Sequence, residues 1–359
     1  MIEATSIRPF GPLQCGFTMN GRERILAALR GECPDRVPVM LHNFMMAARE
    51  AGYTMGQYRR SPEAITRSFI QAVETYGYDG VLVDVDTVTL ACAVGVPVEL
   101  PENGPASSCD AAIHSLEEVR DLPPPDVARN ERIQIWVEAA RLLQRYFGGE
   151  IAIRGNCDQS AFSLAAAMRS IPEFLMDVMD PENEPLVRQL LDYCTSAATQ
   201  FIALMAETGV PIVSNGNSTA GPDMVSPAIY RRFAQPYDRR VAEFAHGLGL
   251  PWLLHVCGKT DRILEDMVAT GADGLELDYK TDVTLARDTL AGRTTFIGNL
   301  DPSAVLARGT PALVAEKTRE LIEAFAGNPH FILNAGCAIP ASTPAENLRA
   351  MMRAARESR

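Results

Sequence analysis

The sequence predicts a single-domain α/β protein folded as a (β/α)8 barrel, and three features of its 359 residues point to that fold. Short apolar segments alternate along the chain with longer amphipathic segments, as strands alternate with helices in a parallel sheet. These strand–helix units number eight, which is the number that closes a barrel. The strand segments are apolar almost throughout, as expected for strands that are buried on both faces.

The strand segments are short, rich in valine, isoleucine and leucine, and bounded by glycine, proline or polar residues. They are predicted at residues 37–42, 80–86, 150–156, 210–215, 251–256, 273–278, 294–299 and 330–335. The alternative is an open doubly wound sheet, which usually has a glycine-rich phosphate loop after its first strand. Residues 42–45 follow the first strand here and contain no glycine, so the barrel is favoured.

Amphipathic segments fill the intervals between the strands. In the segment at 63–76, for example, Ile65, Phe69, Ile70 and Val73 share one side of a helix. The other helices are predicted at residues 20–29, 131–147, 161–168, 185–207, 227–248, 262–270, 283–290, 311–326 and 346–356.

Two segments stand outside this pattern. Residues 1–18 are predicted to be a flexible N-terminal arm ahead of the barrel, which spans residues 19–359. Residues 97–126 contain many prolines, glycines and serines, and they form a predicted irregular excursion that could hold a hairpin or flap.

Composition and charge narrow the classes of function. The chain has a formal net charge of −12 and no basic stripe, so neither nucleic acid nor an anionic membrane surface is an expected partner. No apolar stretch approaches the roughly 18 residues of a membrane span, and the N-terminus lacks the apolar core of a signal peptide. The predicted localisation is therefore cytoplasmic. The eight cysteines have no disulfide-framework spacing, so reduced thiols are expected.

Polar residues occur where the predicted strands end. In a (β/α)8 barrel the active site lies at the C-terminal ends of the strands. These ends carry His42, Asn43, Asp84, Asp86, Asn156, Asp158, Asn215, Asn217, His255, Cys257, Glu276, Asp278, Asn299, Asp301 and Cys337. The opposite ends are mostly proline, glycine and valine, so the sequence predicts an active site at the polar end.

A zinc site is the first hypothesis for this end of the barrel. His255 and Cys257 end one predicted strand and, being two residues apart, point to the same face. Imidazole and thiolate are ligands that Zn²⁺ prefers. Cys337 and Glu276 end two other strands and would complete a four-ligand sphere if the strand ends converge. Asp278 competes with Glu276 for one place, and either acid could instead cap a loop or bind substrate.

The pair Asp84 and Asp86 gives a second hypothesis. The two carboxylates share one face of a strand, and such a pair suits proton handling. Hydrogen bonding to the amides of neighbouring loops is the alternative for these residues.

At three places the sequence resembles the uroporphyrinogen decarboxylase superfamily. Residues 22–29 and 34–39 resemble that family's opening, and residues 298–302 read Gly-Asn-Leu-Asp-Pro, similar to its Gly-Asn-x-Asp-Pro turn. Residues 334–344 resemble its C-terminal Asn-x-Gly-x-x-x-Pro-x-Thr-Pro segment. The resemblance runs from about residue 20 to the end and implies a (β/α)8 barrel.

The decarboxylases themselves differ from this chain after the first strand. They carry Arg-Gln-Ala-Gly-Arg-Tyr there, whereas residues 41–49 lack the arginine ends of that motif. They also have an essential aspartate after the second strand, and Asp86 matches its place. A decarboxylase that uses Asp86 without a metal is therefore the alternative function. The decarboxylases usually have histidine where Cys337 stands, and no His-x-Cys at 255–257.

His-x-Cys with a distant cysteine is similar instead to the zinc methyltransferases of the superfamily, which include methylcobalamin:coenzyme M methyltransferases. This resemblance implies Zn²⁺ on His255, Cys257 and Cys337, with Glu276 as the fourth ligand. A zinc-activated thiolate would take part in the transfer. The donor would be methylcobalamin or another corrinoid, and the acceptor a small thiol such as coenzyme M, or a folate.

A corrinoid protein is the expected partner. The corrinoid-binding motif Asp-x-His-x-x-Gly surrounds none of the five histidines, so the corrinoid would arrive on a separate protein or as free cobalamin. Asp86 and Glu276 are the predicted catalytic residues. The predicted substrate-binding residues are His42, Asn43, Asp84, Asn215, Asn217 and Asp278. A chain that docks a corrinoid protein without catalysis is the non-enzymatic alternative.

Overall fold

Eight parallel strands form a nearly closed barrel at the centre of the molecule, which confirms the predicted fold class. The computed structural model describes residues 18–358, so the predicted arm lies outside the described residues except for Thr18. A parallel bridge between Val39 and Leu333 joins the two outermost strands of the sheet. The strands are β1 Met40–Leu41, β2 Gly80–Val83, β3 Val98–Glu99, β4 Ser107–Ser108, β5 Ala152–Gln159, β6 Ile212–Gly216, β7 Trp252–Val256, β8 Gly274–Leu277, β9 Thr295–Leu300 and β10 Phe331–Ala335.

Helices connect the barrel strands and cover their outer faces. They are α1 Gly21–Leu29, α2 Phe44–Glu50, α3 Met55–Arg60, α4 Pro62–Tyr76, α5 Thr89–Ala93, α6 Glu131–Phe147, α7 Ala161–Arg169, α8 Ile171–Asp177, α9 Glu184–Ala206, α10 Pro227–Ile229, α11 Gln235–Gly247, α12 Leu264–Val268, α13 Val283–Leu290, α14 Pro311–Ala324 and α15 Ala345–Glu357. A π-helical turn at Tyr230–Ala234 joins α10 to α11, so the single helix predicted at 227–248 contains an irregular turn. Within residues 18–358, every helix is too short or too polar to span a bilayer.

Local sequence explains where several helices begin and end. Asn20 and Glu23 form a capping box at the start of α1, and Asn130 caps the first N–H groups of α6. Gly148 adopts a left-handed conformation directly after α6, which glycine does without steric cost.

One layer of apolar side chains fills the barrel interior at its N-terminal end, and we call it the apolar plug. Helix α1 covers the plug with Ile25 and Leu29. The strands contribute Met40, Ala152, Ile212, Leu253, Ile297 and Ile332. Side chains alternate along a strand, so residues two positions beyond the plug, such as Arg154 and His255, point into the same interior. The interior is therefore closed at the α1 end and opens towards the C-terminal strand ends.

The predicted excursion at 97–126 contains a small antiparallel hairpin, β3–β4, beside the barrel mouth. Arg59 of α3 holds the hairpin by donating hydrogen bonds to the carbonyl oxygens of Pro101 and Gly104, at 2.9 and 2.5 Å. Ala106, between the two hairpin strands, lines the cavity at the mouth of the barrel. The hairpin thus forms part of the wall of that cavity.

Candidate active site

A cavity of about 230 Å³ opens at the C-terminal ends of the barrel strands. Most of the residues that the sequence predicted for the site line it. They are His42, Asp84, Asp86, Asn215, His255, Cys257, Glu276 and Cys337. Three other predicted residues, Asn43, Asn217 and Asp278, do not line this cavity.

His255, Cys257 and Cys337 form a compact group of possible metal ligands. One ligand atom from each lies within 4.8 Å of the other two, and Nε2 of His255 is 3.2 Å from Sγ of Cys257. Nδ1 of His255 donates to the main-chain carbonyl of Glu276 at 2.8 Å, which turns Nε2 towards the sulfurs. One imidazole and two sulfurs fit Zn²⁺, and three protein ligands are typical of a zinc site with an open position.

Interactions among these three side chains shift their pKa values. Burial acts to lower the pKa of His255, but the hydrogen bond with Cys337 and the charge of Glu276 outweigh burial and raise that pKa to about 9. The hydrogen bond between the two sulfurs lowers the pKa of Cys257 and raises that of Cys337 to about 12. Cys257 is therefore the sulfur that is more readily ionised.

Glu276 belongs to a buried ion pair rather than to the group of three. Its Oε2 lies 2.5 Å from Nη1 of Arg154, and its Oε1 accepts from Nδ2 of Asn334 at 3.3 Å. Burial would raise the pKa of Glu276, but Arg154 and His42 outweigh burial and hold that pKa well below its usual range. The carboxylate is not among the ligand atoms that converge with His255, and the main-chain carbonyl of Glu276 is what contacts the imidazole.

His42 lies between two carboxylates. Its Nε2 donates to Oδ2 of Asp84 at 2.6 Å, and its Nδ1 is 3.5 Å from Oε1 of Glu276. Burial acts to lower the pKa of His42, but these two acids outweigh burial and raise it to about 9. The imidazole is therefore protonated at neutral pH and links Asp84 to the Glu276–Arg154 pair.

Asp86 is held by several donors. Its Oδ1 accepts from the N–H of Val88 at 3.0 Å and from the hydroxyl of Thr89 at 2.9 Å. Its Oδ2 lies 2.5 Å from Nη2 of Arg132. These contacts agree with the alternative of hydrogen bonding to loop amides, and they tie the segment after β2 to α6.

The predicted asparagines and Asp278 hold neighbouring segments together. Asn215 donates to the carbonyl of Cys157 and accepts from the indole of Trp252, at 2.8 and 2.9 Å. Asn217 donates to the buried Asp238 at 3.0 Å. Asp278 accepts from the N–H groups of Gly258 and Lys280, and Asn43 accepts from Tyr78. Their substrate-binding roles stay predictions, and the contacts observed here are with the protein itself.

Sequence reasoning did not assign a role to three charged residues of the cavity wall, Arg59, Arg154 and Asp158. Arg154 interrupts an apolar strand, and a charge within a strand that is buried on both faces was a usable signal. Asp158 was recognised as a strand-end residue without a function. Arg59 lies on a helix, so a search of the strand ends could not identify it.

Comparison with known proteins identifies the family of this chain. The profile of the family described as uroporphyrinogen decarboxylase (URO-D) matches residues 20–358. The chain belongs to this family. It is 27% identical to the methylcobamide:CoM methyltransferase MtbA of Methanosarcina acetivorans, over 93% of this chain and 97% of the relative. It is 28% identical to the uroporphyrinogen decarboxylase of Alkalilimnicola ehrlichii, over 92% of each.

A solved structure gives the same architecture. A methyltransferase from Methanosarcina mazei superposes with a TM-score of 0.86 at 24% identity, over 94% of this chain and 99% of the other. The methylcobamide:CoM methyltransferase MtaA of Methanosarcina barkeri is a further relative, 26% identical over 94% of this chain and 97% of its own length. These relatives confirm the predicted superfamily and its methyltransferase branch, and with it the prediction of a methyl-transferring enzyme.

The charge of His42 can be tested directly. Its pKa is raised from 6.5 to about 9, so its pairing stabilises the fold fully below pH 6.5 and less as the pH rises towards 9. The free energy of unfolding of His42→Gln, relative to the parent protein, should therefore show its largest deficit below pH 6.5. Nitrogen NMR of the imidazole should report a protonated ring at pH 7.5. His330, whose pKa burial lowers, is the internal control, and a neutral His42 ring at pH 7.5 would contradict the assignment.

The ion pair of Glu276 with Arg154 gives a second test. Glu276→Gln leaves a buried guanidinium without its carboxylate and should lower the free energy of unfolding by about 3–5 kcal/mol. The double variant with Arg154→Met should lose less than the sum of the single losses, because the two residues interact. Asp288→Asn breaks an exposed pair with Arg287 and is the control, with a change of about 0.5 kcal/mol or less. Additive losses in denaturant titrations would show that the pair is not coupled.

Proposed function

We propose that this chain is a zinc-dependent methyltransferase that moves a methyl group between a corrinoid and a small thiol. The convergence of His255, Cys257 and Cys337 at the barrel mouth is the observation that carries the proposal. His255 lies in β7, Cys257 directly follows β7, and Cys337 follows β10, so the fold brings together residues about 80 positions apart. Soft donors of this kind suit zinc and thiol chemistry.

The relatives supply the reaction partners for the proposal. Methylcobamide:CoM methyltransferases are named for a corrinoid and coenzyme M, so we take a methylated corrinoid as donor and coenzyme M or a related small thiol as acceptor. A corrinoid protein is the proposed source of the donor, because the five histidines of this chain lie outside any Asp-x-His-x-x-Gly motif. A folate remains the alternative acceptor.

The electron balance of the transfer needs no general acid. The acceptor thiol loses its proton, its sulfur forms a bond to the methyl carbon, and the cobalt–carbon bond breaks with both electrons going to cobalt. Zinc, when bound to His255, Cys257 and Cys337, would supply the positive charge that favours the thiolate form of an acceptor thiol.

The chain's own residues orient the ligand group and set the charge and shape of the cavity. The main-chain carbonyl of Glu276 orients His255, and the apolar plug closes the barrel from the α1 side. His42 is already protonated at neutral pH, so it serves as a fixed positive charge and not as the base for the thiol proton. That proton leaves towards solvent at the cavity mouth.

A porphyrinogen decarboxylase is the second candidate, since a decarboxylase is among the relatives at similar identity. Two features disfavour it. Residues 41–49 include Arg49 but lack both arginine ends of the Arg-Gln-Ala-Gly-Arg-Tyr motif that the decarboxylases carry after their first strand. Asp86, which the decarboxylase reading requires, has both oxygens engaged by Arg132, Thr89 and the Val88 amide.

Metal content tests the proposed ligands. The purified chain should bind about one zinc per chain, and Cys257→Ser and Cys337→Ser should each lower zinc affinity by tenfold or more (about 1.4 kcal/mol per tenfold). Plasma emission spectrometry after dialysis against a chelator measures this. Cys33→Ser is the matched control, because Cys33 is exposed and lies at the other end of the barrel. Zinc retained equally in all three variants would contradict the proposed ligand set.

Activity tests the reaction class. The zinc-loaded chain should demethylate methylcobalamin in the presence of 2-mercaptoethanesulfonate, and the loss of the cobalt–carbon absorbance follows the reaction. Cys257→Ser should reduce the rate by about 100-fold or more, and Cys33→Ser should leave it unchanged. Decarboxylation of uroporphyrinogen by metal-free protein, lost in Asp86→Asn and kept in Cys257→Ser, would establish the second candidate instead.

A further inference from the structure

A network of buried polar side chains lies beside the turn that follows β6. Its centre is Asp238 of α11, which is fully buried. Oδ1 of Asp238 accepts a hydrogen bond from the hydroxyl of Ser160 at 2.5 Å, and both of its oxygens accept from Nδ2 of Asn217 at 3.0 Å. The network therefore joins α11 to the start of α7 and to the turn after β6.

The donors that reach the Asp238 carboxylate are neutral. Ser160 and Asn217 carry no charge, so the carboxylate is stabilised by dipoles and not by a cation. Burial raises the pKa of Asp238 to about 7, although the hydrogen bonds from Ser160 and Asn217 act against that rise. A carboxylate buried in this way costs stability, and departures of this kind from ordinary core packing are expected next to functional sites.

Asn217 connects Asp238 with the main chain of His255. Its Oδ1 accepts from the N–H and the hydroxyl of Ser163, at 3.1 and 2.8 Å, so its amide group is held on both sides. Its own main-chain N–H donates to the carbonyl oxygen of His255 at 2.7 Å. Asn217 is fully buried and does not line the cavity, so it holds the end of β7 from outside the cavity.

The rest of the turn packs against a second predicted ligand. Gly221 approaches so closely that a Cβ atom there would lie 2.3 Å from the carbonyl oxygen of Cys257. Thr219 anchors the turn, because its main-chain N–H and its hydroxyl both contact the hydroxyl of Ser163, at 3.0 and 2.8 Å. The turn thus contacts the main chain of both His255 and Cys257.

His255 is consequently held from two sides. The carbonyl oxygen of Glu276 contacts its ring at Nδ1, and Asn217 contacts its main chain. The first contact sets the rotation of the ring, and the second sets the position of the strand end that carries the ring. A metal site depends on both, because metal–ligand distances vary by only about 0.2 Å.

We propose that Asp238 is a positioning residue for the ligand group, and that it acts through Asn217. Asp238 fixes the amide of Asn217, Asn217 and its turn fix the main chain of His255 and Cys257, and neither Asp238 nor Asn217 lines the cavity. The proposal rests on the proposed function, because the group that the network positions is the proposed set of zinc ligands.

Cobalt(II), bound in place of zinc, tests the positioning because its visible absorption bands report the geometry of the ligands. Asp238→Ala removes both acceptor oxygens, and it should shift these bands and weaken cobalt affinity about tenfold, as the loss of outer-shell partners does. Asp238→Asn keeps one acceptor and should give a smaller change. Asn217→Ala should match Asp238→Ala, and the double variant should lose no more than either, because the two residues act in one chain of contacts.

Asn347→Ala is the matched control for a loss of buried hydrogen bonds. The Asn347 amide is also buried, and it holds the segment after β9 by donating to the carbonyl oxygens of Leu306 and Gly309 at 2.9 and 2.8 Å. This variant should lower the free energy of unfolding but leave the cobalt bands and cobalt affinity unchanged. Bands that change equally in Asn347→Ala and Asp238→Ala would show a general loss of structure and would overturn the inference.

A reagent that needs no metal separates this inference from the proposed function. Phenylarsine oxide forms two arsenic–sulfur bonds with a pair of thiols and releases water, so its reaction with Cys257 and Cys337 in the metal-free chain reports how the two sulfurs are placed. Asp238→Ala should slow this reaction about tenfold or more, and Asn347→Ala should not. That result supports the positioning role even if the parent chain binds neither cobalt nor zinc, which would overturn the proposed function alone.

Hydrogen exchange of the parent chain covers the case in which the Asp238 variants do not fold. Binding of zinc or of the arsenical should slow exchange in peptides that contain residues 217–221, because the N–H of Asn217 donates to His255. Peptides that contain residues 306–309 should not change. Exchange at 217–221 that is the same with and without the bound group would overturn the inference, and so would an arsenical rate in folded Asp238→Ala equal to that of the parent.

Discussion

At the open end of the barrel, the arrangement of the side chains depends on one constraint. The negative charge of the buried Glu276 carboxylate must be balanced. Arg154 balances it from β5, and His42 connects it to Asp84 from the end of β1. An uncompensated charge at this depth would cost several kcal/mol, so these residues must be in place together. The same residue holds His255 through its main-chain carbonyl. The orientation of the imidazole in the ligand group is therefore coupled to the ion pair behind it.

The parts of the site that the sequence predicted are those that local spacing determines. His255 and Cys257 are two residues apart at the end of one strand, so their shared face follows from strand geometry alone. Cys337 followed from the position of its strand end in a barrel. The partner of Glu276 could not be predicted in this way, because Arg154 is 122 residues away and nothing in the spacing relates the two. The fold class was predictable because it depends on a repeated pattern and not on any single contact.

Contacts with neighbouring segments explain why some predicted strand-end residues do not line the cavity. Asn43 accepts from Tyr78, and Asp278 accepts from the N–H groups of Gly258 and Lys280. Asn217 likewise contacts Ser163 and Asp238, which belong to the surrounding helices. The strands are apolar on both faces, and the sequence therefore does not show which face points inward. The inward-pointing face is identified only in the folded structure, where α1 covers one of the two sets of strand side chains.

Two chemistries occur among the relatives named above, a methyltransferase at 27% identity and a decarboxylase at 28%. The contacts within the cavity bear on the same distinction, because fold alone does not determine function. Asp84, Asp86 and Glu276 already have charged partners in the described part of the chain. The ligand atoms of His255, Cys257 and Cys337 converge in this cavity. Within the described residues, one buried atom in each of four other residues of its wall makes no hydrogen bond, in His42, Arg59, Arg154 and Asp158. The contacts therefore favour a reaction at the convergent imidazole and sulfur groups over one at Asp86.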